Sequence, residues 1–260
     1  MAGKLETLIR DLRLRRGRER RGLALAEGVR LVEEAVAAGV AIRSAAVSPH
    51  LEGSARGQAL KASLAARGVP LTELEDRTLA DLADTEHPQG VIAVIEPPVW
   101  GWAQLRVVPG DVVVALDAVQ DPGNVGTILR TAHGLGAAGV IALKGTAELH
   151  NPKVLRGSMG ALFRLPAFTA TEAELLSWLA DRGVQSWVAA SDGVPIGERP
   201  VRPSPHPPIC LVLGNEGAGV SPALADQASM RVAIPLAAGA ESLNVAVAAG
   251  ILLYEVLRER

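Results

Sequence analysis

Val232-Ala-Ile-Pro-Leu-Ala-Ala-Gly-Ala-Glu-Ser-Leu-Asn-Val-Ala-Val-Ala-Ala-Gly-Ile-Leu-Leu-Tyr254 passes from a short apolar strand through a glycine-containing loop into a helix. Val232, Ala233 and Ile234 are extended-type apolar residues, and Pro235, with no N–H to give a ladder, ends the strand. The loop from Leu236 to Glu241 leaves backbone N–H and C=O groups for a ligand. Ser242 is the expected N-cap of a helix running to Leu257, because its hydroxyl can satisfy a free first-turn N–H. The 13 residues from Ser242 to Tyr254 carry no charge. A helix on the surface of a monomer needs a polar face. This one is therefore expected to be buried on nearly all sides, partly by a second subunit. Taken alone, the stretch reads equally well as a core helix behind a small loop.

Two further blocks lie upstream. Ile209-Cys-Leu-Val-Leu-Gly-Asn-Glu-Gly-Ala-Gly-Val-Ser221 opens on a continuous apolar run, as expected of a strand covered on both faces. Gly214, Gly217 and Gly219 then allow a tight turn, and Ser221-Pro222 reads as a helix start. Gln120-Asp-Pro-Gly-Asn-Val-Gly-Thr-Ile-Leu-Arg-Thr-Ala132 is a turn feeding a helix. Together the three blocks resemble the SpoU family of the SPOUT superfamily, the RNA ribose 2′-O-methyltransferases. The first carries the family's Asn124, Gly126 and Arg130; the second Gly214, Glu216 and Gly217; the third Ile234, Pro235, Ser242, Leu243 and Asn244.

That resemblance implies an α/β fold with a parallel sheet whose C-terminal segment threads a loop to make a trefoil knot, working as a homodimer. It implies that Leu213, Gly214, Gly217, Ile234, Leu236 and Leu243 cradle S-adenosyl-L-methionine. It assigns Arg130 to activating or orienting the ribose 2′-OH, with Asn124, Glu216, Ser242 and Asn244 beside it. An arginine is a poor base in water, with a pKa above ~12. Its clearer physical role is to stabilise a developing alkoxide or fix the target phosphate. Asn124 can hold Arg130 or the ribose, or act as a helix cap. Glu216 can orient the turn's N–H groups or Arg130, or be a structural turn carboxylate.

The chain has 260 residues, 48% of them apolar, enough for one large domain or two modest ones. No apolar run reaches the ~20 residues that span a bilayer. The one cysteine, Cys210, sits in an apolar strand and reads as a small core residue, so a reducing cytoplasm is the simplest location. The five histidines show no ligand spacing, and no metal is expected. Net charge is −2, but residues 1–30 hold nine Lys/Arg against four Asp/Glu, a net of +5, leaving −7 for the other 230. Such asymmetry marks a local phosphate-binding face, or a solvated basic helix.

Lys4 to Arg21 reads as one basic helix with Leu5, Leu8, Ile9 and Leu12 as its apolar stripe. Strands and helices then alternate to Gly90-Val-Ile-Ala-Val-Ile95. Ala26-Glu-Gly-Val-Arg-Leu-Val-Glu-Glu34 and His87-Pro-Gln-Gly90 resemble the substrate-binding domain placed ahead of many SpoU catalytic domains, which is similar to ribosomal protein L30e. Arg13, Arg16, Arg21 and Arg30 are the candidate phosphate contacts there. The Pro-rich segment near 97–109, with Trp100 and Trp102, is the expected linker between domains at 1–98 and 110–260. In the second, Val112–Leu116, Gly139–Leu143, Ser186–Ala190 and Ile209–Leu213 are expected strands, and Thr171 to Glu174 is a capping box. Lys153 and Arg156, on a basic segment opening a helix, are further RNA contacts or plain surface cations.

The expected activity is methylation of a ribose 2′-OH in ribosomal RNA, with transfer RNA as the runner-up substrate. A non-catalytic RNA-binding or ribosome-assembly factor would not need the full Asn124, Arg130, Glu216 and Asn244 set. A Rossmann nucleotide-binding enzyme is disfavoured because no Gly-x-Gly-x-x-Gly follows the Val112 strand.

Overall fold

The computed structural model describes residues 2–199 and 206–258, so Pro200, Pro203 and Pro205 of the Pro-rich loop lie outside the described residues. The chain divides into two compact units, Met1–Pro98 with His150–Arg164, and Val99–Leu149 with Leu165–Arg260.

The first unit begins with two helices, α1 (Ala2–Arg13) and α2 (Arg15–Arg21), where the sequence suggested one. Leu14 is extended between them. The break is held by Arg18, which is 4% exposed and donates from Nη1 to the carbonyls of Leu12 and Arg13 at 2.9 and 2.8 Å. The last carbonyls of α1 are thereby satisfied by a side chain rather than by another turn. Strands β1 (Ala24–Glu27), β2 (Ala41–Val47), β3 (Leu71–Glu73) and β4 (Val91–Glu96) form a sheet of order β1-β4-β2-β3, in which β4 is antiparallel to both neighbours. Helices α3 (Val29–Ala37), α4 (Pro49–Glu52), α5 (Ala55–Ala66) and α6 (Asp76–Leu82) connect them. Leu5, Ile9 and Leu12 of α1 pack with Leu79, Leu82, Ile92 and Val94 into one buried cluster, so the stripe read from the sequence is the core face.

His150–Arg164, expected in the second domain, packs within the first unit. Its helix α8 (Pro152–Ser158) lies against β1, and Arg156 reaches Asp84 at 2.6 Å and Glu27 at 3.6 Å. Arg164 pairs with Glu34 at 2.8 Å.

Among the described residues the second unit holds six parallel strands: β5 (Val112–Leu116), β6 (Gly139–Ala142), β7 (Ala167–Thr169), β8 (Gln185–Pro195), β9 (Ile209–Leu213) and β10 (Met230–Ala233), in the order β10-β8-β9-β5-β6-β7. Every residue of β5 and β9 is buried, as continuous apolar runs require in a sheet covered on both sides. Helices α7 (Pro122–Leu135), α9 (Glu172–Arg182), α10 (Pro222–Asp226) and α11 (Val245–Leu257) cover it. Thr171 and Glu174 close the capping box that starts α9. Trp102 of the linker segment meets Phe168 edge-on at 4.9 Å and stacks on Trp178 at 5.3 Å, which pins that segment to the second unit. Cys210 is fully buried, and burial pushes its thiol up to about 12.

Candidate active site

The site is built at the carboxyl ends of β8, β9 and β10, where an open parallel sheet places its ligands. β9 ends at Leu213, and the chain turns back at once. Gly214 must be glycine, because a Cβ there would lie 2.2 Å from the Gly219 carbonyl carbon. Asn215 and Gly219 exchange backbone hydrogen bonds of 2.9 Å in each direction, closing a tight loop. Asn215 Oδ1 accepts from the N–H groups of Gly217 and Ala218, both at 2.9 Å. Glu216 is left at the tip, exposed.

Helix α7 brings its partner. Asp121 is the N-cap and accepts from the Asn124 N–H at 2.8 Å, so Asn124 stands in the first turn rather than at the cap, and its side chain is free for other work. Asn124 Nδ2 donates to Glu216 Oε1 at 2.9 Å, and Asn124 Oδ1 accepts from Asn244 Nδ2 at 2.9 Å. The orientation is forced. A carboxylate only accepts, so the amide nitrogen of Asn124 must face Glu216 and its oxygen must face Asn244. Three residues far apart in sequence, one from each motif, thus form a continuous chain of hydrogen bonds.

Asn244, not Ser242, caps α11: its Oδ1 accepts from Ala246 and Val247 N–H at 2.9 and 3.3 Å. An amide has donor and acceptor on separate atoms, so it can cap the helix and reach Asn124 together. Ser242 lies in the irregular segment before the helix, exposed. Ser221 departs from its expected role in a similar way. Its hydroxyl donates to Glu172 Oε2 at 2.8 Å rather than capping α10.

A cavity of about 240 Å³ opens beside this chain of hydrogen bonds. Of the residues expected to hold the methyl donor, Leu213, Gly214, Ile234, Leu236 and Leu243 line it, and Gly217 does not. Glu216 and Ser242 line it too; Asn124, Arg130 and Asn244 do not. Sequence reasoning missed Ala189, Ala190 and Ser191 at one wall: the first two end the expected strand Ser186–Ala190, and Ser191 belongs to the continuation of β8 to Pro195. It also missed Val245, Ala248 and Leu252, which give α11 a share of the wall. Arg130 is exposed on α7, about 9 Å of helix rise beyond Asn124 on the same polar face. Among the described residues, no group of three His, Cys, Asp or Glu is placed to hold a metal, and no helix is long and apolar enough to cross a membrane.

The other cationic candidates lie in the first unit. Arg13, Arg16 and Arg30 are exposed. Arg21 donates to Asp11 Oδ2 at 2.6 Å, and this guanidinium, with that of Arg20, holds the Asp11 carboxyl below the usual carboxylate range. Lys153 is exposed on α8. Arg156 and Arg30 come together on a cavity of about 190 Å³ that also includes His87, Gln89 and Glu27.

Fold and site define an α/β protein with a ligand pocket at the ends of its parallel strands. Residues 111–254 match the SpoU rRNA Methylase family, and residues 7–93 match the MRM3-like substrate binding domain. The 23S rRNA (guanosine(2553)-2′-O)-methyltransferase RlmP of Bacillus subtilis is 37% identical over 190 residues, 73% of each chain. The AdoMet-bound rRNA methyltransferase from Sinorhizobium meliloti superposes with a TM-score of 0.86 at 31% identity, covering 100% of this chain and 96% of that one. The SpoU methyltransferase AviRb from Streptomyces viridochromogenes, solved in complex with AdoMet, gives 0.85 at 30% identity, with 99% and 97% covered. The chain belongs to the SpoU rRNA methylase family.

Proposed function

We propose that this protein transfers the methyl group of S-adenosylmethionine to a ribose 2′-OH of RNA, and that its substrate is 23S ribosomal RNA. The observation that carries the reading is the hydrogen-bonded chain Glu216–Asn124–Asn244 beside the cavity at the ends of β8, β9 and β10, in a chain whose relatives bear the name of that reaction. The cavity suits the donor. Leu213, Ile234, Leu236 and Leu243 offer apolar contact to an adenine, and Glu216 and Glu241 place carboxylates beside a ligand that is cationic. When bound, S-adenosylmethionine supplies a methyl group activated by its sulfonium centre.

The residues of this chain do the rest. Gly214 brings backbone up to the pocket without a side chain in the way. Glu216 fixes Asn124, and Asn124 fixes Asn244 at the mouth of the loop that carries Ser242 and Leu243. Arg130 presents a cation on the same face of α7 as Asn124. There it stabilises charge developing on the ribose oxygen or grips the neighbouring phosphate, rather than taking a proton. Arg13, Arg16 and Arg30 hold the RNA backbone.

The working form is a homodimer through α11. Val247, Ile251 and Tyr254 recur at helical spacing along it and remain 51%, 37% and 57% exposed in one subunit, an apolar stripe that a partner would cover. The protein acts in the cytoplasm, where ribosomal RNA is found. The test is mass-spectrometric mapping of 2′-O-methyl sites in RNA from cells with and without this protein. One ribose methyl in 23S rRNA should disappear with it; loss confined to transfer RNA would move the substrate, and no loss would remove the activity.

A further inference from the structure

Glu216 sits at the tip of an exposed turn, and what aims it is the residue before it. Asn215 uses its whole amide. Oδ1 takes the N–H groups of Gly217 and Ala218, and Nδ2 donates to the carbonyl of Ala118 at 3.0 Å. The first two bonds shape the turn; the third fastens it to a different loop.

That loop is a firm post. Ala118 follows β5 with φ 57, a left-handed conformation that side chains other than glycine seldom adopt and that persists only where the surroundings impose it. They do so here on both sides. The Asp117 N–H donates to the Leu213 carbonyl at 2.8 Å, and its buried carboxylate accepts from the Ser221 N–H at 2.7 Å. The Ala147 N–H donates to the Val119 carbonyl at 2.9 Å. Gly145 leaves room for the Ala118 methyl, since a Cβ there would lie 2.9 Å from it.

We propose that Asn215 is a positioning residue for methyl transfer: by tying the 214–219 turn to the Ala118 carbonyl it sets Glu216 against Asn124. Asparagine alone among the short side chains can accept two N–H groups on one atom and donate from another. The inference rests on the reading of Glu216 and Asn124 as part of the active centre, and it assigns Asn215 an effect exerted through Glu216, not through ligand contact. Asn215 also lines the cavity, so the two routes must be separated by experiment.

The separating experiment compares Asn215→Asp, Glu216→Ala and the double variant. Turnover is read on an unmodified 23S rRNA transcript with labelled S-adenosylmethionine, and donor affinity by calorimetry. Asn215→Asp keeps the acceptor for the turn and loses the donor to Ala118. It should lower turnover tenfold or more while donor affinity stays within about threefold, and in the Glu216→Ala background it should cause no further loss. Asn215→Ser, too short to span to Ala118, should behave the same way and guards against a folding defect in the Asp variant. Wild-type turnover in both variants overturns the inference, and so do losses that multiply in the double variant. Wild-type turnover in Glu216→Ala would instead overturn the reading of the active centre on which it stands.

Discussion

Asn244 donates from Nδ2 to Asn124 Oδ1 at 2.9 Å across 120 residues of sequence, while its own Oδ1 caps α11. The two jobs can be pulled apart. Asn244→Ala should lose the cap, at a cost of about 1 kcal/mol in a denaturant titration, and should also lose turnover. Asn244→Asp keeps an oxygen for the cap and removes the donor to Asn124. Its stability should stay within about 0.5 kcal/mol of wild type while turnover falls at least tenfold. Full turnover in the Asp variant would show that the Asn124 bond has no part in the reaction.

Arg130→Ala should abolish methyl transfer and leave binding of S-adenosylmethionine within a few-fold, because Arg130 is absent from the wall of the cavity. Calorimetric titration beside a methylation assay measures both. Near-normal turnover removes Arg130 from the mechanism.

The basic run from Arg13 to Arg21 divides by burial. Arg18 is a buried clasp between α1 and α2, so Arg18→Ala should destabilise the protein by about 1–3 kcal/mol, as expected when buried carbonyls are left without a partner. Arg13→Ala with Arg16→Ala should leave the unfolding midpoint unchanged. The same pair should flatten the dependence of log K for RNA on log salt by roughly 0.7–0.9 for each phosphate no longer neutralised. An unchanged salt slope would contradict the assignment of those two residues. Deleting the whole first 98 residues would be a poorer test, since α8 would lose the strand β1 it packs on.

Much of this was legible in the sequence, for identifiable reasons. The buried strands β5 and β9 announce themselves as unbroken apolar runs, and the motif glycines and asparagines mark the turns around them. What stayed hidden depended on partners distant in sequence. Ser242 and Asn244 are both good caps locally; Asn124 on α7 decides between them. The Lys4–Arg21 run carries one helical stripe, and its break is set by contacts across it: Arg18 reaches back to Leu12, Arg20 and Arg21 reach Asp11, and Gly17 lets the chain approach the Asp11 carbonyl. α8 joins the first unit because Glu27 and Asp84 meet Arg156, and no local pattern encodes that meeting. Asn215 shares the motif with Glu216, but its tie to Ala118 depends on a backbone conformation that an alanine does not advertise.

The apolar stripe on α11 predicts assembly. Ala249, at the helix centre, is fully buried within the single subunit, so a charge there would unfold the subunit rather than report on its partner. Ile251→Glu, on the exposed stripe, is the informative substitution. Light scattering should find a wild-type dimer and a folded Ile251→Glu monomer. A wild-type monomer at micromolar concentration would refute the dimer.

Methyl transfer to a ribose oxygen can be read by incubating the purified protein with labelled S-adenosylmethionine and an unmodified 23S rRNA transcript, then hydrolysing the RNA in alkali. A methylated 2′-oxygen cannot attack the adjacent phosphate. Label should therefore appear in an alkali-resistant dinucleotide, and none should appear with the Arg130→Ala protein. Label released in mononucleotides, as methylation of a base would give, would contradict transfer to the ribose.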